Sequence, residues 1–274
     1  MNSDKYILIK NEDTLLSFLD RLGDIYPHET YLILTIFRSK KLNEEDKNKI
    51  KNNMMYLSKY LRGEENNRVN PEKSLQRIYE LEVPHKALIY NKGKEDEFQV
   101  PQNALVCYIS CNPSNEIKVT MEHIKTVNEI LSLIAYSKEN EKNRKDLAHT
   151  NNDFRSERMK YARHKWADFD IDLPNVNNND IRIKAKNIIK DTFKNSNVIK
   201  KDPDGIIVST DGGFHVLLNK EYIKGNPSNL CNDLNNNLKQ LSDVKEVSFK
   251  GSNALLPLPG SLQYGDFEVS WENL

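Results

Sequence analysis

Between Lys165 and Lys250 the hydrophobic pattern switches between two periods in a fixed succession, and that succession restricts the fold more than any other feature of the chain. Phe169 and Ile171 alternate with Asp168, Asp170 and Asp172, the period of a strand with one apolar face. Residues 175–180 form a polar loop that can cap a helix whose apolar face is Ile181, Ala185, Ile188, Ile189 and Phe193. Residues 205–209 read as a strand, Asp211-Gly212-Gly213 as a tight turn and residues 214–218 as the hairpin partner. Ser228 opens another helix, with Leu230, Leu234, Leu238 and Leu241 on one side, and residues 246–250 make a last strand. The order β-α-β-β-α-β predicts an α+β fold built on the split βαβ sheet of ferredoxin-like or RRM-like domains.

The first half carries a different pattern. Asp13 and Thr14 can cap a helix whose apolar positions Leu15, Leu16, Phe18, Leu19 and Leu22 run to Gly23. Residues 30–37 are β-branched and aromatic without polar alternation, as in a strand buried on both faces, and Arg38 leaves its end as a solvated cation. Residues 42–82 read as largely helical, with Met54, Met55, Leu57, Tyr60 and Leu61 as the inner stripe and residues 62–69 as a loop. Residues 83–90 and 104–110 are two more strand candidates, and Ile124, Val127, Leu131 and Ile134 mark a helix with a core-facing stripe. This divides the chain into an N-terminal α/β module, residues 1–150, and an RRM-like module, residues 151–274, the two forming one core.

Lys+Arg and Asp+Glu each number 40 among the 274 residues, so no global positive field advertises nucleic acid and a local patch must serve. The basic stretch 138–165 supplies a candidate. Arg155, Arg158, Arg163 and Lys165 within it feed directly into the acidic strand and are the expected phosphate contacts. No apolar run is long enough to span a membrane, and residues 1–5 lack a signal-peptide pattern, so no membrane association and a cytoplasmic location are expected. The odd count of three cysteines without disulfide spacing fits a reducing compartment. Cys107 and Cys111 share a strand-like run, but without a second Cys/His pair they read as buried small hydrophobes, and no zinc is expected.

Asp170 and Asp172 stand two apart on one strand face, roughly 6–7 Å, where paired carboxylates repel unless a cation sits between them. A hard divalent ion such as Mg²⁺ suits two such oxygen donors. In a split βαβ sheet the first and third strands lie side by side, which places His215 beside these carboxylates and groups Ser209 with them. Carboxylates, an imidazole and a hydroxyl across one sheet surface suit a metal-bound triphosphate.

These residues resemble motifs of the archaeo-eukaryotic primase superfamily, which includes primase small subunits and primase-polymerases. Phe169-Asp170-Ile171-Asp172 looks like its acidic motif. Ser209-Thr210-Asp211-Gly212-Gly213-Phe214-His215 resembles its second motif, and the Ser-to-His spacing agrees with the primase form. Leu256-Pro257-Leu258-Pro259-Gly260-Ser261-Leu262 is similar to the Leu-x-x-Pro-Gly-Ser/Thr segment after the family's last acid. The resemblance covers roughly residues 160–270. The chain departs from the pattern at Asp211, where an Arg is common, and at residues 262–265, which lack a His and a Lys.

The resemblance implies a primase-polymerase core and template-directed nucleotidyl transfer, a primase or primase-polymerase making or extending RNA or DNA primers with release of pyrophosphate. Asp170, Asp172 and Asp243 would bind two Mg²⁺ or Mn²⁺ ions, with Glu246 the rival to Asp243. His215 and Ser209 would contact the nucleotide, with Lys250 as a substitute for the phosphate-binding groups the chain lacks. The implied partners are a single-stranded DNA template, NTP or dNTP and a replicative helicase, in a phage or mobile-element replication system. The alternative is a noncatalytic RRM-like protein that binds nucleic acid or nucleotide and keeps the primase shape.

Overall fold

The computed structural model describes residues 4–38, 42, 46, 56–90, 97–136, 158, 160–173, 178–241, 246–264 and 266–274. In chain order the elements are α1 (Glu12–Leu22), β1 (Glu29–Phe37), β2 (Tyr56–Arg62), α2 (Pro71–Tyr79), β3 (Ile89–Tyr90), β4 (Phe98–Gln99), β5 (Leu105–Ser110), β6 (Ser114–Asn115) and α3 (Glu116–Tyr136). They continue with β7 (Trp166–Asp172), α4 (Asn179–Asn195), β8 (Gly205–Thr210), β9 (Gly213–Asn219), α5 (Pro227–Leu238), β10 (Glu246–Gly251), β11 (Leu255–Pro257), β12 (Leu262–Gln263), β13 (Phe267–Glu268) and β14 (Ser270–Asn273). The protein is a mixed α+β fold with two large antiparallel sheets. Among the described residues no helix is long and apolar enough to cross a membrane.

The first sheet runs β13-β12-β5-β1-β2, with β11 also on β5 and β6 also on β1. Apart from Glu29, Thr30 and Thr35, β1 is apolar because both its faces are covered. Tyr31, Ile33 and Phe37 enter the main core with Leu15, Phe18, Leu19 and Leu22 of α1, while Leu32 and Leu34 pack with Val106, Tyr108 and Tyr264 on the other face. α1 starts two residues earlier than the sequence suggests, because the Asn11 side chain accepts from the Thr14 amide.

The second sheet has the order β10-β7-β9-β8-β14, all neighbours antiparallel. β7, α4, β8, β9, α5 and β10 follow one another as the sequence suggests, and β14 adds an edge strand beyond β8. Period two divides β7 cleanly. Phe169 and Ile171 face the helices, packing with Ala185, Ile189 and Phe193 of α4 and Leu230, Leu234 and Leu238 of α5. Trp166, Ile206, Val208 and Leu217 point the other way and join the core of the first sheet, so a single buried cluster draws on both sides of residue 150.

One side chain ties the sheets together. Asn112, buried just past β5, donates from Nδ2 to the carbonyls of Trp166 and Ser252 (both 2.8 Å). Its Oδ1 accepts from the amides of Lys165 (3.1 Å) and Trp166 (2.9 Å). The Trp166 indole is fully buried and donates to the Leu22 carbonyl (3.1 Å), so it is a core anchor rather than a base-stacking platform. Cys107 and Cys111 are buried and free, and burial pushes both thiols up to about 12.

Three expectations are corrected. Residues 56–62, expected within a helical stretch, form β2 and pair with β1 from Tyr56↔Ile36 to Arg62↔Thr30. Leu57 and Leu61 are four apart, a spacing that satisfies a helical stripe and a strand face equally, and the pairing with β1 decides it. Only residues 71–79 of that stretch make the helix α2, and Met54 and Met55 lie outside the described residues. Of the strand expected at 83–90 only Ile89–Tyr90 forms, after a 3-10 turn at His85–Ala87 that follows Pro84. α3 forms, but Ile124 and Leu131 of its apolar stripe are about half exposed, at 54% and 49%, instead of buried in the core.

Replacing Asn112 by Ala leaves two backbone amides and two carbonyls of a buried junction without their partner. Asn112→Ala should lower the unfolding free energy by about 2–4 kcal/mol, read as a shift in denaturant midpoint at constant slope.

Candidate functional site

The alternation that sends Phe169 and Ile171 to the helices sends Asp168, Asp170 and Asp172 to the opposite face of β7. The register sets His215 of β9 directly across from Asp170, and on the other side Ser248 across from Asp170 and Glu246 across from Asp172. Directly opposed residues share a face. Asp170, Asp172, Glu246 and His215 therefore occupy one surface, with Asp172 and Glu246 exposed and Asp170 partly buried.

Asp168 lies deepest and is fully buried. Its carboxylate receives the His215 Nδ1 at 3.0 and 3.2 Å, which leaves Nε2 directed toward Asp170 Oδ1 at 3.7 Å, beyond hydrogen-bond length. Burial opposes charging of the His215 ring, but Asp168, then Asp170 and Asp172, outweigh it and raise the imidazole pKa to about 8. At neutral pH the ring is an imidazolium. A second cation, Lys250 Nζ, stands 3.6 Å from the other Asp170 oxygen.

The first sheet borders this surface. Tyr108 of β5 has its hydroxyl pKa raised by burial first, an effect that the Arg38 guanidinium opposes and the Asp170 carboxylate reinforces across the gap between the sheets. Arg38 Nε donates to the Tyr108 hydroxyl (3.2 Å), and its guanidinium lies 5.3 Å from the centre of that ring. Tyr264 completes this wall, its hydroxyl pushed up to about 12 mainly by burial. Arg38, expected as a solvated strand end, is instead organised at the margin of the acid face.

The remaining sequence candidates fall elsewhere. Ser209 pairs with Phe214, on the helix-covered face, so its side chain does not join His215 and the aspartates; its hydroxyl is buried with no hydrogen-bond partner among the described residues. Asp243 and Arg155 lie outside the described residues. Arg158 is buried, pairs with Glu116 (Nη2 to Oε2, 2.7 Å) and stacks on Tyr60. Arg163 binds Glu29 (2.6 Å) and the Asp24 carbonyl, and Lys165 donates to the Leu22 carbonyl (3.1 Å) beside Trp166. These three cations are all engaged by acids or carbonyls of the first module. The Leu256–Leu262 segment is likewise engaged within the fold: Gly260 accepts from the Lys10 and Asn11 amides, and the buried Ser261 hydroxyl donates to Leu258 O.

Two residues were legible only in part. Asp168 reads as one more acid on the face of β7, yet it is the partner that fixes His215. Tyr108 carries no sequence signal beyond its place in a buried strand, because its role comes from the approach of the second sheet. Among the described residues no three His, Cys, Asp or Glu side chains converge as they would around a metal ion. Comparisons with protein-family models, curated proteins and solved structures find no match.

The raised His215 pKa has a definite sign. Stability from the charged ring is fully present below pH 6.5 and is lost as pH rises through about 8. A shift of this size corresponds to a loss on the order of 2 kcal/mol. Proton NMR of the ring in chelator-treated buffer should give a midpoint near 8. In Asp168→Asn the midpoint should fall toward or below 6.5, and the alkaline loss of stability should disappear.

Proposed function

We propose that the protein is a nucleotidyltransferase of the archaeo-eukaryotic primase type, a primase or primase-polymerase that makes or extends primers on a single-stranded DNA template from NTP or dNTP. The observation that carries this reading is the acid face itself: Asp170, Asp172 and Glu246 share one open surface of an antiparallel sheet with the cationic His215 and Lys250. The strand order of that sheet supports it, because the β-α-β-β-α-β succession with its first and third strands central is the arrangement an RRM-like catalytic module requires.

The donor set suits Mg²⁺ or Mn²⁺: hard carboxylate oxygens on adjacent strands, two of them, Asp172 and Glu246, opposed with no described cation paired to either. Asp170 and Asp172 would hold the ions, with Glu246 the third acid that the described residues offer. When bound, such ions would supply charge neutralisation at the triphosphate oxygens and acidify an attacking 3′-hydroxyl. The side chains do the rest. The His215 imidazolium, fixed by Asp168, presents Nε2–H to the triphosphate, and the Lys250 ammonium exchanges Asp170 for a phosphate oxygen. The 3′-hydroxyl gives up its proton to solvent as its oxygen attacks the α-phosphorus, the bond to the β-phosphate oxygen breaks, and pyrophosphate leaves.

Incubation with a single-stranded template, labelled nucleotides and Mg²⁺ or Mn²⁺ should give products that chelator abolishes. Asp170→Ala should remove them, and His215→Ala should reduce them by about 100-fold or more while the melting temperature shows the variants folded. Products from a supplied primer alone would narrow the activity to extension. A folded wild type that binds nucleotide or single strands without metal, yet makes no product, would establish a binding module instead.

A further inference from the structure

β2 is the outer strand of the first sheet, and β1 is its only partner among the described strands. A cavity of about 460 Å³ runs along that open edge. One wall is seven consecutive residues, from Ser58 to Glu64, and the other is one face of α2 with its cap: Asn70, Lys73, Ser74 and Arg77. The spacing 70, 73, 74, 77 is that of a single helix face, so the groove is bounded by a strand edge on one side and a helix on the other.

The lining is cationic. Lys59, Arg62, Lys73 and Arg77 face Glu64 as the single acid in the wall. Lys73 pairs with Glu64 (2.5 Å), while Lys59 and Arg77 share Glu80 just outside the groove. Arg62 is exposed and has no ion pair among the described residues. Two carboxylates thus pair with three of the four cations, and the groove holds an excess of positive charge.

From this geometry we propose that the groove is a docking site for an acidic, extended segment of a partner protein, which adds as a strand to the edge of β2. The backbone decides between candidate anions. An unpaired strand edge offers N–H donors and C=O acceptors in alternation. A phosphodiester chain satisfies the donors only, whereas another polypeptide backbone satisfies both, with its side chains set alternately toward the helix and toward solvent. Carboxylates on the segment then meet Arg62, Lys73 and Arg77. Gly63 and Glu64 at the end of the wall already pair with Val69 and Arg68, so the open edge is residues 58–62, which at about 3.3 Å per residue accepts an extended segment of roughly five residues.

The test uses the full chain and a fluorescein-labelled decapeptide of alternating Asp and Val, with a Lys-Val decapeptide and a decathymidylate as competitors. The expected result is saturable binding of the acidic peptide, weakened about tenfold or more by raising NaCl from 50 to 300 mM and by the double variant Arg62→Glu with Lys73→Glu. Both positions are exposed, and an unchanged melting temperature shows that the variant folds. Hydrogen exchange should show new protection of the residue 58–62 amides on peptide addition. No binding at millimolar peptide, equal binding of the Lys-Val peptide, or indifference to the double variant would overturn the proposal. Decathymidylate that displaces the peptide and loses binding in the double variant would overturn it in favour of nucleic acid.

Discussion

The two strands that carry the acids meet the first sheet at the buried amide of Asn112. It bonds the backbone on both sides of the point where β7 begins and also the Ser252 carbonyl just after β10. β7 carries the three aspartates and β10 carries Glu246 and Lys250, so one side chain fixes both strands against the end of β5. An amide in this position has no water to fall back on, and its hydrogen bonds are made only when both sheets are in register. That makes the junction of the sheets close to all-or-none. The gap through which Tyr108 senses Asp170 is set by the same contact that completes the core.

Charge on the acid face is graded by depth, and the grading assigns tasks. Asp168 is fully buried and holds a hydrogen-bonded imidazolium, Asp170 is partly covered beside His215 and Lys250, and Asp172 and Glu246 stand exposed and opposed. In the Asp168–His215 pair the attraction outweighs the desolvation of the ring, so the imidazole keeps its proton at neutral pH. What the pair gives is a fixed ring orientation and a fixed charge. The outer carboxylates have the opposite character: they keep their solvent and their mutual repulsion, and that repulsion falls when a cation arrives.

Much of this was legible in the sequence, and the failures have identifiable causes. The succession of elements after residue 165, the apolar face of β7 and the hairpin of β8 and β9 all follow from period and turn chemistry. The position of Ser209 did not follow, because of hairpin parity. With Thr210 paired to Gly213, His215 falls opposite Val208, so two residues six apart across this turn lie on opposite faces. Likewise the Leu57–Leu61 spacing could not separate strand from helix. The stripe of α3 shows the limit of periodicity, which reports that a helix has an apolar side and not what covers it. Nor could a local pattern show that Arg158, Arg163 and Lys165 lie where acids and carbonyls of the first module await them.

Lys250 was named from sequence as a substitute phosphate ligand, but the device that aims it is a register shift. Phe249 pairs with Phe169, and the next pairing is Gly251 with Asp168, which leaves Lys250 as the extra residue of a bulge. In an unbroken ladder Lys250 would itself oppose Asp168 and would compete with His215 for the one fully buried carboxylate. The bulge instead puts there a residue with no side chain, whose φ of 74° glycine adopts at little cost. Asp168 is thereby reserved for the imidazole, and the ammonium is displaced outward to Asp170, where it stays partly exposed and exchangeable. A single extra residue in an edge strand separates two cations that would otherwise contend for one acid: it leaves the imidazole inside and the ammonium half-exposed beside Asp170.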